Sequence, residues 1–168
     1  MVFIAECGTR LAAAGYAAFG VDYEGHGRSK GAHCFINKFQ NIVNDCQEFF
    51  KSVCELEEYK DKNRFLYGES MGGAAALLLH KHDPSFWNGA VLVAPMCKVT
   101  LPFFVLHGEA DIVTDPEVSK AFNEKSSSSD KTIKLYPGMW HGLTSGEPDE
   151  SIEIVFTDIT AWLDKQLL

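Results

Sequence analysis

The chain has 168 residues, a formal net charge of -8, and is 46% hydrophobic and 12% aromatic. That suits one globular domain with a substantial core and excludes a disordered segment. The acidic balance, with no cluster of Lys or Arg, argues against nucleic acid as the main partner.

No apolar stretch approaches the length of a membrane span, and the first residues lack a charged-then-apolar leader pattern. Cys7, Cys34, Cys46, Cys54 and Cys97 are odd in number and form no CxxC pair. They read as free thiols in a reducing, cytoplasmic setting, and no metal site is expected.

In chain order, Phe3 to Ala14 is Ala-rich with apolar residues at helical spacing, and Gly15 closes it as a C′ glycine. "YAAFGVDY" (16–23) predicts a buried strand, followed by the glycine loop "EGHGRSKG". Phe39, Ile42, Val43, Cys46, Phe49, Phe50 and Val53 recur at three and four, which predicts an amphipathic helix. "RFLYG" (64–68) predicts a strand, and Ser70 to His80 a helix that breaks near Asp83-Pro84. "GAVLVAP" (89–95) and "PFFVLHG" (102–108) predict two more strands. Asp115-Pro116-Glu117 sets a cap, an N1 proline and an acid at the start of a helix that runs to about Lys125. "KTIKLYPG" (131–138) predicts the last strand and Ser151 to Leu167 a closing amphipathic helix. Short apolar strands alternating with helices imply an α/β layer fold with a mostly parallel sheet of about five strands.

Gly68-Glu69-Ser70-Met71-Gly72 fits G-x-S-x-G. A serine hydroxyl is a poor nucleophile at neutral pH and needs a base, itself oriented by a third group. A sharp strand-to-helix turn presents the serine, and flanking glycines let strand and helix approach closely. The pentapeptide alone fits a glycine-rich helix start as well. The strand before it and the helix after it favour the nucleophile, with the Met71 N–H as oxyanion donor.

Two acids compete to orient the base. Asp111 follows a strand end, whereas Asp115 already has work as the cap before Pro116, which favours Asp111. Of six histidines, only His141 follows the last strand in a glycine-rich loop, and the alternative is a surface histidine. The order Ser70, Asp111, His141 is that of the hydrolase fold. His107 reads as strand-end packing, His80 and His82 as residues of a helix C-terminus, and His33 as a loop residue. His26 follows a strand end on the ligand-binding side of such sheets, so it is a candidate for lining the site, with loop hydrogen bonding as the alternative. Glu69 and Trp140, next to Ser70 and His141, are the other lining candidates.

Together "DYEGHGRS", "LYGESMGG", "LVAPMC", "LHGEADIVTDPEVS" and "LYPGMWHGLTSGEP" resemble the monoacylglycerol lipase-like α/β-hydrolases. The plant branch, with caffeoylshikimate esterase-like and lysophospholipase-like members, is the most similar. The resemblance covers nearly the whole chain as one α/β-hydrolase core domain, residues 1–168. It implies hydrolysis of a small-molecule or lipid carboxylic ester through an acyl-enzyme, with Ser70 as nucleophile, Asp111 as orienting acid, His141 as base, and no cofactor. A lipid ester would bring peripheral contact with membranes, which no segment demonstrates, and the oligomeric state is left open.

Against that family, three pieces are expected to be missing. The chain opens inside the helix that follows the family's HGxG-type loop, which carries the second oxyanion donor. The central strand that precedes that helix is then also lost, so the strands ending at Tyr23 and Gly68 must pair directly or the first must detach. Finally, six residues separate Pro95 from Pro102. Fully extended they reach roughly 20–22 Å, of which the return along a five-residue strand takes about 17 Å. No helix fits that link, so the family's cap is expected to be deleted between about Lys98 and Leu101. These expectations point to an esterase weakened by truncation. The competing readings are a catalytically inactive remnant that acts as a binding or interaction module, and an acyltransferase or lysophospholipase.

Overall fold

The computed structural model describes residues 2–94 and 101–167, which cluster into two compact units, 1–62 and 63–168.

The first unit holds α1 (Val2–Ala13) and α2 (Phe39–Cys54). Gly15 ends α1 as expected: its φ of +92° lets its N–H reach Ala12 O and the Tyr16 N–H reach Leu11 O. The three-and-four pattern of α2 buries Ile42, Val43 and Cys46. Burial, then the neighbouring Asp45 charge, pushes the Cys46 thiol up to about 11. The predicted strand 16–23 is not formed. These residues join no ladder, and Ala17 to Gly20 are exposed. A strand exists only through a neighbour's N–H and C=O groups, and an apolar run cannot substitute for one. Of the two outcomes expected for 16–23, pairing or detachment, pairing is not seen among the described residues. The glycine loop that follows is tight: Asp22 accepts the Arg28 N–H at 2.9 Å, and a Cβ on Gly27 would collide with that carboxylate.

The second unit is a four-stranded, all-parallel sheet in the order β1 (Phe65–Glu69), β2 (Gly89–Val93), β3 (Phe103–Gly108), β4 (Lys131–Tyr136). The near-continuous apolar runs of β2 and β3 are buried along their whole length, as parallel strands covered on both faces require. Helices α3 (Met71–His82) and α4 (Pro116–Lys125) follow β1 and β3, and α5 (Asp149–Lys165) closes the chain. Trp162 of α5 stacks on Phe104 of β3 and meets Phe65 of β1 edge-on. Phe122 of α4 packs on Phe103 at 5.0 Å. Asp115 caps α4 by accepting the Glu117 N–H at 2.9 Å, with Pro116 at the first turn.

The sheet has four strands rather than about five, and the difference is the stretch 16–23. β2 and β3 are parallel neighbours in register, Leu92 opposite Val105. A short link joins them. Its residues 95–100, and with them the expected cap deletion at Lys98, lie outside the described residues, while Leu101 is buried.

Candidate active site

β1 delivers the chain to Ser70, which sits between strand and α3 at φ +50°, ψ -118°. A non-glycine residue held there costs about 1–3 kcal/mol, and the surroundings must impose it. Two features do so. The Ser70 N–H donates to Val93 O of the adjacent strand at 2.9 Å, and its carbonyl accepts from Gly73 N. A Cβ on Gly68 would lie 2.5 Å from Gly72 O and 2.8 Å from Gly73 Cα, so strand and helix approach this closely only with glycine at 68. Met71 is the first residue of α3, where backbone N–H groups have no partner within the helix and the helix dipole favours negative charge.

β3 delivers the acid. The Asp111 carboxylate is fully buried and accepts on both oxygens. Oδ1 takes the N–H groups of Val113 at 2.7 Å and Thr114 at 3.0 Å. Oδ2 takes the Thr114 hydroxyl at 2.7 Å and His141 Nδ1 at 2.7 Å. Burial alone would favour the protonated acid. The Thr114 hydroxyl and N–H, then His141 and the Val113 N–H, outweigh it and hold the carboxyl well below the usual carboxylate range.

β4 delivers the base. His141 lies in the loop after Tyr136, which is stitched to the turn after β3 by Glu109 N to Tyr136 O and Ala110 N to Met139 O. Gly108 makes this crossing possible: a Cβ there would lie 2.3 Å from Met139 O and 2.4 Å from Trp140 O. With Nδ1 donating to Asp111, the nitrogen left to accept a proton is Nε2.

A second tie joins the base's loop to β1. Thr144 donates its hydroxyl to Glu69 at 3.0 Å and accepts from Tyr67 OH at 3.2 Å. Burial raises the Glu69 carboxyl above its ordinary value, partly offset by the Thr144 hydroxyl, the nearby His141 and Tyr67. Met71, Ile112, Val113 and Trp140, each beside one of these polar residues, form exposed apolar positions on the same three loops; Ile112 is 85% and Trp140 50% accessible.

Glu69, Ser70, Met71, Asp111, Trp140 and His141 thus all lie at or after carboxyl ends of strands in one sheet, where open α/β sheets bind ligands. His26 belongs to the first unit. Its Nδ1 pairs with Glu24 O at 2.9 Å and its ring meets Tyr23 edge-on, the loop role set out as the alternative. In the sequence His107 reads only as strand-end packing, and Thr114, Thr144 and Tyr67 are not singled out. Thr114 had a usable signal, since an Asp followed three residues later by Thr suits a turn in which the carboxylate collects local donors.

A parallel sheet bearing this strand–turn–helix elbow places the chain among the α/β-hydrolases. In particular, it belongs to the serine aminopeptidase, S33 family, which matches residues 1–101 and 98–149. It is 31% identical over 233 aligned positions to caffeoylshikimate esterase of Arabidopsis thaliana, covering 91% of this chain and 70% of that protein. It is 23% identical to monoglyceride lipase of Mus musculus, covering 89% and 73%. The crystal structure of a soluble variant of monoglyceride lipase from Saccharomyces cerevisiae, in complex with a substrate analog, superposes with a TM-score of 0.83 at 21% identity, covering 99% of this chain and 82% of that one.

Proposed function

We propose that this hydrolase cleaves carboxylic esters through an acyl-enzyme formed on Ser70. The observation that carries the reading is the buried Asp111 carboxylate holding His141 Nδ1 at 2.7 Å, on loops of the sheet that bends Ser70 to φ +50°. Ser70 Oγ attacks the ester carbonyl as His141 Nε2 takes its proton. The Met71 N–H stabilises the oxyanion. Collapse expels the alcohol, which takes the proton from Nε2, and water repeats the steps to release the acid. Asp111 fixes the imidazole tautomer and favours the imidazolium that forms.

The relatives' names support an ester of glycerol or of a caffeoyl group as substrate class. Two observations support a lost cap near 98–101: the family match divides there into two segments that overlap in this chain, and the alignment with the Arabidopsis protein spans 233 positions although this chain has 168 residues. Without a cap the acyl site is open, so small soluble esters are preferred and turnover is weak. The unpaired stretch 16–23 favours weak turnover too. The test is p-nitrophenyl acetate hydrolysis by purified chain. Slow turnover that disappears in Ser70→Ala and His141→Ala supports the reading. Turnover equal in wild type and Ser70→Ala contradicts it.

A further inference from the structure

His107, the fifth residue of β3, is 1% exposed and has no role in the steps above. Its Nδ1 pairs with Ser119 Oγ of α4 at 2.7 Å. Its Nε2 lies 3.0 Å from the Thr114 carbonyl oxygen and 3.0 Å from Asp111 Oδ2. Nε2 carries the hydrogen and donates it to the Thr114 carbonyl, with the Thr114 hydroxyl oxygen 3.4 Å away. Oδ2 accepts from the Thr114 hydroxyl and His141 Nδ1, with the His107 ring beside it.

We infer that His107 is a positioning residue, which donates from Nε2 to the Thr114 carbonyl and so holds the turn whose Thr114 hydroxyl and N–H keep the Asp111 carboxylate in line with His141. It acts through a ring locked by Ser119. The turn that grips the carboxylate lies outside the strands. The β3 histidine ties it to the sheet, the rigid element that also sets the elbow.

The inference rests on the ester-hydrolase reading for its purpose, so its test reads the Asp111–His141 bond directly. In wild-type chain with ¹⁵N-labelled histidine, the His141 Nδ1–H gives a downfield proton signal. His107→Leu, which has no donor, broadens or abolishes that signal. His107→Gln, whose amide nitrogen replaces Nε2, retains it. Ser119→Ala, which unlocks the ring, weakens it. A second readout is the rate–pH profile of Ser70 labelling by a fluorophosphonate. Loosening the Thr114 donors makes Asp111 more basic, which favours the imidazolium. The acid limb then moves up by about one pH unit in His107→Leu and returns in His107→Gln. The groups bearing on that limb are Asp111 and Thr114 from the turn after β3, Glu69 through Thr144 from β1, Glu147 in His141's own loop, and Ser119 behind His107 from α4. A wild-type signal and an unmoved limb in His107→Leu overturn the inference. If that variant does not fold, a wild-type signal in Ser119→Ala, or loss of the signal in His107→Gln, overturns it. A chain that keeps the signal but never labels at Ser70 counts against the ester-hydrolase reading and leaves the His107 contact standing.

Discussion

Asp111 is the residue on which the site's electrostatics turn. Its carboxyl titrates below the ordinary carboxylate value in the folded chain, so ionisation favours folding. That stabilisation is complete above the unfolded value of about 3.9 and is lost as pH falls through the lowered folded one. Asp111→Asn removes it. In urea unfolding, the gap between wild type and variant is therefore widest near neutrality and narrows below about pH 4. The same variant lowers turnover by about 10⁴, because the asparagine amide no longer favours the correct tautomer of His141. Glu69 has the opposite sign. Its raised carboxyl means that folding favours the protonated form, a contribution that disappears as pH rises through the folded value. Glu69→Gln keeps an acceptor for Thr144 and sheds the buried charge, so thermal melts at pH 7 should show it at least as stable as wild type, with the difference shrinking in acid. The placement of Ser70, Asp111 and His141 after strand ends was legible in the sequence, and their roles as nucleophile, acid and base are the proposal above. Asp115 was set aside on its capping signal, and the cap is where that signal put it. His107 was legible only as packing, since a lone histidine in an apolar strand carries no mark of what stands beside it. Its partner Ser119 is twelve residues away on another element.

The elements succeed or fail according to whether their stability is local. Helices α2 and α5 followed from periodicity and α4 from its cap, signals written within or beside the helix itself. The stretch 16–23 did not follow, because a strand's hydrogen bonds belong half to another segment, and composition does not reveal whether that segment exists. Hydrogen exchange checks the distinction: amides of residues 17–23 should exchange in the fastest class, and those of β2 and β3 among the slowest. The crossing of the His141 loop over β3 likewise depends on one atom's worth of space. Gly108→Ala forces a Cβ against two carbonyl oxygens, and should lower stability by about 1–3 kcal/mol in urea unfolding while reducing Ser70 labelling. At Gly138, a Cβ would meet nothing within 4 Å, so Gly138→Ala carries only the strain of its φ of +73° and should leave labelling far less affected.

For the molecule as a whole, the α/β layer and the hydrolase elbow were legible because they repeat a simple rule, buried strand then crossover helix. What lies over the site was not, because the link that would carry a cap falls at residues 95–100, and apolar side chains at Met71, Ile112, Val113 and Trp140 face solvent beside the polar residues. An open site should discriminate poorly by chain length and favour soluble substrate. Purified chain is expected to turn over p-nitrophenyl acetate faster than a long-chain monoacylglycerol, and the reverse ranking would contradict the open site. The most direct test of the central claim is reaction with a fluorophosphonate followed by mass spectrometry of the intact chain and its peptides. A single adduct on the peptide containing Ser70, absent in Ser70→Ala and strongly slowed in His141→Ala, is the predicted result. No adduct on folded wild-type chain, or an adduct that survives in Ser70→Ala, would contradict it.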